Sequence, residues 1–368
     1  MIYFTLSCFI SFIITAFLIK TRKFHRFFAD SDLSSPQKVH ISPVPRVGGV
    51  GIYLALVITL TYVMMIKNQN NHLLFSLVIS SIPVFSLGLI EDLTKSVSPK
   101  KRLIAAFTSA AICVYLTKSY VSHIDLKIID NYLLIWLPFS YLFTAFAVSG
   151  LINAINIIDG FNGLVSVVSC IMFFSIAYIA WRVNDIELLL IALACIGAIL
   201  GFFIFNFPNG FIFLGDGGAY LIGFLLSEMS IYLVYKHSEV SPWYALLLFI
   251  YPIFETVFSI YRRKFLKGVP STMPDGIHLH TLIYRRLMRW VVGSKAEKHL
   301  RTRNSFTSPY LWILSATAVL PATLFYNNTI ILQLFCLIFI IIYLWLYINI
   351  IKFKSPKWLI IRKNKIKT

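Results

Sequence analysis

The chain has 368 residues, of which 58% are hydrophobic and only 13% are charged, and it carries a formal net charge of +18. One soluble core could not bury so many apolar side chains, so the composition excludes a soluble globular protein and indicates a polytopic integral membrane protein.

Apolar stretches long enough to cross a bilayer recur along almost the whole sequence. A spanning helix needs about 20 such residues. The eleven predicted stretches are 2–19, 47–66, 72–90, 103–117, 133–154, 161–181, 186–207, 217–235, 242–260, 308–325 and 328–351. The predicted fold is therefore all-α, with about eleven transmembrane helices in a single membrane-embedded domain, 1–368.

The basic residues are distributed unequally between alternate loops. With the N-terminus placed outside, 28 of the 33 Lys and Arg residues fall on one side, mainly in 20–46, in the loop 261–307 and in the tail 352–368. Positive charge concentrates on the cytoplasmic side of membrane proteins, so we expect these loops and the C-terminus in the cytoplasm. This topology accounts for most of the net charge without a nucleic-acid partner.

Acidic residues on the predicted cytoplasmic side begin with Glu91 and Asp92, which end the third stretch and precede Arg102. A carboxylate at a membrane boundary is costly unless it meets a cation, a partner or water, so a one-sided cluster indicates function. Adjacent carboxylates repel each other, which suits them to a divalent metal or a basic side chain. A solvated helix end is the alternative for this segment alone.

The segment NAINIIDGFNGL at 153–164 carries the strongest signal. Asn153, Asn156 and Asp159 recur every three residues, so on a helix they share one broad face and emerge at its cytoplasmic end. Packing alone does not explain three such polar groups at the end of an apolar helix. We therefore predict that they contact a ligand.

A glycine-rich loop follows Asn206 and places Asp216 between glycines, just before an apolar helix. The glycines admit a ligand and the helix N-terminus favours an anion, as in a metal or phosphate site. Glycine turns with an acid are also common in ordinary loops, so this segment alone leaves both interpretations open.

The long loop 261–307 contains Asp275, His278 and His280. No third or fourth ligand with suitable spacing accompanies the two histidines, so contact with a diphosphate, or proton handling, is favoured over zinc. Glu255, near the inner end of the ninth stretch, is expected to face the same site. A solvated basic loop is the alternative.

These segments together resemble the polyprenyl-phosphate N-acetylhexosamine-1-phosphate transferase superfamily, and most closely its bacterial undecaprenyl-phosphate GlcNAc-1-phosphate transferase branch. The resemblance runs from about 38 to 290, and five motifs occur in the family's order. They are PVPRVGG at 43–49, the acidic pair with Arg102, the 153–164 segment, GDGG at 215–218 and DGIHLH at 275–280. Three residues depart from the pattern: Glu91 replaces the usual aspartate, Asn162 a frequent acid and Ala219 a frequent serine.

The resemblance implies an enzyme of the bacterial cytoplasmic (inner) membrane with its active site on cytoplasmic loops. Such an enzyme transfers an N-acetylhexosamine 1-phosphate from a UDP-sugar to undecaprenyl phosphate, releases UMP and forms the lipid-diphospho-sugar that initiates a cell-surface polysaccharide. Both substrates are anions, so Mg²⁺, with Mn²⁺ as the alternative, is expected to suppress their repulsion. Expected partners are a UDP-N-acetylhexosamine, undecaprenyl phosphate and the lipid bilayer, and a homodimer stays open.

The resemblance also implies roles for individual residues. The expected catalytic residues are Glu91, Asp92, Asp159, His278 and His280, the substrate-binding residues are Arg46, Arg102, Asn153, Asn156, Asn206 and Asp275, and the metal ligands are Asp216 and Asp159. Whether Asp92 acts as a base, as a nucleophile or as a positioner of the lipid phosphate stays open.

Two functions of other classes stay open as well. A transporter or flippase for a lipid-linked or anionic solute would place polar groups near the bilayer midplane, where Glu228 is predicted to lie. An inactive membrane scaffold is suggested by Glu91, Asn162 and Ala219, although the other acids and both histidines of the motifs are present.

Overall fold

The computed structural model describes residues 1–21, 44–67, 72–266, 268, 277–288 and 297–352. This part of the chain is helical and contains no β-strand, as expected where lipid forces backbone groups to bond within their own segment. In chain order the helices are α1 (Ile2–Lys20), α2 (Gly48–Lys67), α3 (His72–Thr94), α4 (Pro99–Thr117), α5 (Lys127–Ile135), α6 (Leu137–Ile158), α7 (Leu164–Arg182), α8 (Ile186–Asn206), α9 (Gly215–Lys236), α10 (Pro242–Leu248), α11 (Ile250–Tyr261), α12 (Leu279–Leu282), α13 (Glu297–Leu324) and α14 (Thr329–Ile351). Single π-helical segments, Arg262–Leu266 and Ile283–Leu287, continue α11 and α12.

Each of the eleven predicted stretches contains a helix, which confirms an all-α, multi-pass membrane protein. Among the described residues, eight helices are long and apolar enough to cross a membrane, and α10 with α11 would form a ninth span. The other two predicted spans lie in α4, which begins with three basic residues, and in α13, whose sequence is more polar. The count of eleven stays a prediction.

Helix α9 lies at the centre of the bundle, and 89% of its apolar window is buried inside the protein. It packs against α2, α3, α4, α6 and α7. The N-terminus of α9 consequently meets the C-termini of α3 and α6 and the N-terminus of α4. These are the helix ends that carry most of the predicted acids.

Helix α1 packs along α8 through small polar side chains. The hydroxyls of Ser7 and Ser11 donate to the carbonyls of Ala194 and Ala198, at 2.7 and 2.6 Å. Both serines are fully buried. Such contacts satisfy hydroxyls within the protein and let two helices approach closely in lipid.

At the opposite end of α9 from the acids, Asp185 joins two helices. Its carboxylate accepts from the Leu188 N–H at the start of α8, from Lys236 Nζ at 2.9 Å and from His237 Nε2 at 3.0 Å. Desolvation acts to raise the pKa of Asp185, but the hydrogen bonds from Lys236 and His237 outweigh it and hold that pKa below its ordinary value.

Helices α10 and α11 are bent by 69° relative to each other. Beside the bend lies an apolar groove of about 580 Å³, bounded by α6, α9, α10 and α11. Its walls include Phe146, Leu151, Ile231, Phe249 and Val257. The groove offers an apolar surface within the span, at the side of the bundle that carries α6 and its terminal Asp159.

Candidate active site

Asp92 binds the N-terminus of α9 with both carboxylate oxygens. The N–H of Asp216 donates to Oδ1 at 2.8 Å, and the N–H of Gly217 donates to Oδ2 at 2.9 Å. The first N–H groups of a helix have no partner within the helix and carry the positive end of its dipole. The Asp92 carboxylate supplies acceptors for these N–H groups and a negative charge that interacts favourably with the dipole. Asp92 therefore holds the backbone that carries Asp216.

Glycines allow α3 and α9 to come this close. Gly215 has φ of +79°, and a Cβ on it would lie 2.5 Å from Asp92 Oδ2 and 2.1 Å from the carbonyl oxygen of Arg46. A Cβ on Gly88, one turn before Asp92, would lie 2.6 Å from the Gly217 Cα. The glycines next to the acids are thus required by backbone geometry.

Arg102 connects the acidic pair with Asp216. One terminal nitrogen of its guanidinium donates to Glu91 Oε1, and the other donates to Asp216 Oδ2 at 3.3 Å. The second oxygen of Glu91 accepts from the Val97 N–H at 2.7 Å, and the Val97 carbonyl accepts from Arg102. Glu91 is therefore used to fix Arg102 and the loop between α3 and α4, in agreement with a supporting role.

Asp159 follows the last residue of α6 and lies in the same electrostatic cluster. Desolvation raises the pKa of Asp159 to about 7; the charge of Arg46 opposes this rise and the charge of Asp216 adds to it. Arg46 also interacts electrostatically with Asp92 and Asp216. Within the described residues, the Asp159 carboxylate accepts no hydrogen bond, so its oxygens are available to a ligand.

The backbone places Arg46 through contacts with the loop before α9. The Phe213 N–H donates to the Pro45 carbonyl at 2.9 Å, and the N–H groups of Gly48 and Gly49 donate to the carbonyls of Phe213 and Leu214 at 2.9 Å. The segment before α2 and the segment before α9 therefore lie side by side. This pairing brings two distant predicted motifs together.

His278 and His280 lie next to the turn that contains Asp159. Their rings stack with centroids 5.1 Å apart and an interplanar angle of 8°, and Phe161 meets His280 edge-on at 5.6 Å. A Cβ on Gly160 would lie 3.3 Å from His280 Nε2. The structure thus places His280 beside the turn that carries Asp159, with His278 stacked on it.

The predicted asparagines differ in their surroundings. Asn156 is half-buried beside Asp159 at the end of α6. Asn153 donates from Nδ2 to the Ser149 carbonyl of its own helix at 2.8 Å. Asn206 is buried, accepts from the Gly163 N–H at 2.6 Å and donates to the Ile212 carbonyl at 2.8 Å. The contacts of Asn206 are those of a residue that joins two loops, and its predicted substrate contact is untested.

Asn162 also connects neighbouring segments of the chain, namely the loop after α6, the loop after α8 and helix α13. Its N–H donates to Asn304 Oδ1 at 2.9 Å, its Nδ2 donates to the Pro208 carbonyl at 3.2 Å, and its own carbonyl accepts from Ser308. Of these contacts only the one from Nδ2 uses the side chain, and a carboxylate at this position could not donate it. The predicted substrate contact Asp275 lies outside the described residues.

Two residues outside the quoted motifs complete the site. Glu255 accepts from His278 Nδ1 at 3.0 Å and from Tyr343 Oη at 2.8 Å. The sequence indicated Glu255 by its place at the inner end of a helix. Tyr343 was missed, and the only signal for it is a second tyrosine, Tyr347, four residues later on the same face of α14.

The carboxylates of Asp159 and Asp216 fit a divalent cation that arrives with a phosphate. The described part of the chain contains no group of three His, Cys, Asp or Glu side chains arranged for a metal ion. Mg²⁺ in phosphoryl-transfer sites is commonly held by one or two carboxylates with water and substrate phosphates, so it does not need a complete protein cage. A zinc site would need more protein ligands.

Comparison with known proteins agrees with this arrangement. The profile of glycosyl transferase family 4 matches residues 74–234. An undecaprenyl-phosphate alpha-N-acetylglucosaminyl 1-phosphate transferase from Thermotoga maritima is 32% identical over 281 residues, which cover 76% of this chain and 81% of that protein. Its namesake from Escherichia coli is 30% identical over 276 residues, or 74% and 73% of the two chains. A probable undecaprenyl-phosphate N-acetylglucosaminyl 1-phosphate transferase from Bacillus subtilis is 30% identical over 254 residues, 68% of each chain.

The matched region 74–234 contains α3 to most of α9, and with them Asp92, Arg102, Asp159 and Asp216. Identity of this level over more than two thirds of both chains indicates that the proteins share one family and one fold. The chain belongs to glycosyl transferase family 4.

Proposed function

We propose that this protein transfers an N-acetylhexosamine 1-phosphate from a UDP-sugar to undecaprenyl phosphate and releases UMP. The observation that carries the proposal is the convergence of Asp92, Asp159 and Asp216 from three helices with Arg46 and Arg102 at one end of the bundle. Family membership and the names of the relatives point to the same reaction. The product would be a lipid-linked diphospho-sugar that begins a cell-surface glycan.

The arrangement of charges suits two anionic substrates. Arg46 and Arg102 lie among the acids, so a diphosphate entering the site meets fixed positive charge as well as carboxylates. Arginine suits this task because its planar fork of donors matches phosphate oxygens. Glu91 holds one side of the Arg102 guanidinium in place. The site is therefore organised before substrate arrives, which lowers the cost of charge stabilisation in the transition state.

Asp216 and Asp159 would hold Mg²⁺, or Mn²⁺ in its place. When bound, such a cation would neutralise negative charge on the diphosphate and favour departure of UMP. Asp216 is suited to this position because its backbone is fixed by Asp92 and its side chain is directed by Arg102. Asp159 would contribute a second carboxylate, which accepts no hydrogen bond from the described residues.

The contacts of Asp92 favour a positioning role over a role as nucleophile or base. Both of its oxygens already accept backbone N–H groups of α9. These bonds stabilise the negative charge of the carboxylate and hold it against the helix N-terminus, which makes its oxygens weaker nucleophiles and weaker bases. Lipid phosphate is largely ionised near neutral pH, so the acceptor does not need a strong base.

The apolar groove beside α10 and α11 is suited to the polyprenyl chain. Its walls are aliphatic and aromatic, and it opens within the membrane span. A prenyl chain placed there would put its phosphate at the membrane boundary. The excess of Lys and Arg in alternate loops supports a cytoplasmic site, with the N-terminus outside and the C-terminus inside the bacterial inner membrane.

The test is release of UMP from UDP-GlcNAc by purified protein in detergent, with and without undecaprenyl phosphate and Mg²⁺. The proposal expects release only when both are present, and a panel of other UDP-sugars identifies the preferred hexosamine. Asp216→Asn serves as the inactive control, because it removes the charge of a proposed metal ligand. Absence of release from a protein with a cooperative melting transition would contradict the proposal.

A further inference from the structure

A buried carboxylate on α11 connects the last helix with the histidine pair. Glu255 is only 1% exposed, and both of its oxygens are engaged. Oε1 accepts from His278 Nδ1 at 3.0 Å and from the Leu279 N–H at 2.9 Å, whereas Oε2 accepts from the Tyr343 hydroxyl at 2.8 Å. Burial of a carboxylate is costly unless donors surround it, and here three donors do so.

The contact determines which ring nitrogen of His278 carries a proton. Because a carboxylate only accepts, His278 must donate from Nδ1, which leaves Nε2 as the nitrogen that the glutamate does not hold. The Leu279 N–H binds the same oxygen, so the backbone beside the ring is fixed as well. The ring of His278 then stacks on His280, and His280 lies against Gly160 beside Asp159.

We propose that Glu255 and Tyr343 are positioning residues for the transferase reaction, a proposal that rests on the function proposed above. Glu255 fixes the tautomer and orientation of His278. A protonated His278 donates from Nε2 to an oxygen of the diphosphate. Tyr343 ties the glutamate to α14, so the last helix of the chain supports a side chain at the active site.

The alternative is that this network only stabilises the packing of α11, α12 and α14. A structural role predicts that Glu255→Gln lowers activity whether or not His278 is present. A positioning role predicts that the loss of activity requires His278, because the glutamate acts on the reaction only through that ring.

The decisive experiment combines three variants. Glu255→Gln should lower kcat/KM for UMP release by roughly 100-fold. The same substitution in a His278→Ala background should cause no further loss, because Glu255 acts through His278. Tyr343→Phe removes the hydroxyl that holds Oε2 and should lower kcat/KM by a smaller factor, again only when His278 is present. Multiplicative losses would overturn the proposal.

A matched control and a second readout separate this inference from the proposed function. Glu228→Gln replaces another fully buried glutamate, on α9, and should retain the activity of the unaltered protein. Acylation of His278 by diethyl pyrocarbonate, followed by mass spectrometry, reports the availability of Nε2 without turnover. Acylation should be slower in Glu255→Gln, because a glutamine can also donate to Nδ1 and so permits the tautomer whose Nε2 carries the proton. An unchanged rate refutes positioning. Absence of UMP release by the unaltered protein contradicts the proposed function alone.

Discussion

Asp92→Asn separates a positioning role of Asp92 from a chemical one. In the variant, one carboxylate oxygen becomes an NH₂ group that faces a backbone N–H, and the remaining oxygen is neutral. A hydrogen bond to a charged group contributes about 1.5–3 kcal/mol. Loss of negative charge at a helix N-terminus costs about 0.3–1 kcal/mol more. The aligned state of the α9 N-terminus is therefore destabilised by about 2–4 kcal/mol, and kcat should fall roughly 30- to 900-fold.

The assay for Asp92→Asn is UMP release measured together with the melting temperature. A positioner predicts that activity and melting temperature both fall and that residual activity is measurable. Asp130→Asn is a matched control, because the Asp130 carboxylate also accepts a backbone N–H, from Ile124 at 2.6 Å, but in the first turn of α5 and outside the site. Loss of more than about 10⁴-fold with an unchanged melting temperature would show that Asp92 reacts with substrate and would refute the positioning role.

Three further variants test other parts of the structure. Gly215→Ala should lower activity at least as much as Asp92→Asn, because its Cβ would lie 2.5 Å from Asp92 Oδ2; normal UMP release would contradict the close approach. Asn206→Ala leaves two buried backbone groups unpaired at a cost of about 1–3 kcal/mol each, so the melting temperature should fall while KM for the UDP-sugar stays constant. A raised KM with an unchanged melting temperature would instead make Asn206 a substrate contact. Asp185→Asn should lower the melting temperature at neutral pH, and the difference should vanish in acid. The pKa of Asp185 is depressed in the folded protein, so its stabilisation is complete above the ordinary aspartate pKa of about 4 and is lost as pH falls through the folded value; a constant difference would contradict the ion pairing.

The sequence predicted the helices and the grouping of the motif acids at one end of the bundle, because hydropathy and the position of a polar residue at the end of an apolar stretch are local properties of the chain. It also predicted that Asp159 and His280 serve one site. It did not reveal that Asp92 caps α9, since that contact joins residues 124 positions apart and depends on the packing of α3 against α9. One sequence contains no signal for such a pairing.

Polar residues in motifs were the least predictable part of the site. Asn206 is predicted to contact substrate; in the structure its amide bonds to backbone groups of neighbouring loops, and the substrate contact stays a prediction. A short polar side chain next to glycines suits both roles, and only the fold distinguishes them. Glu255 shows the opposite case, because a buried acid in an apolar helix proved to contact His278.

The central claim is that phosphate travels with the sugar, and the most direct test follows the β-phosphate of the donor. UDP-GlcNAc, or the preferred UDP-sugar, is labelled in that phosphate and incubated with the protein, undecaprenyl phosphate and Mg²⁺, and the lipid is then extracted. The account predicts that the label enters the lipid fraction while unlabelled UMP appears in the water phase, and that Asp216→Asn abolishes both. Label that stays in water-soluble UDP while sugar enters the lipid would contradict the account.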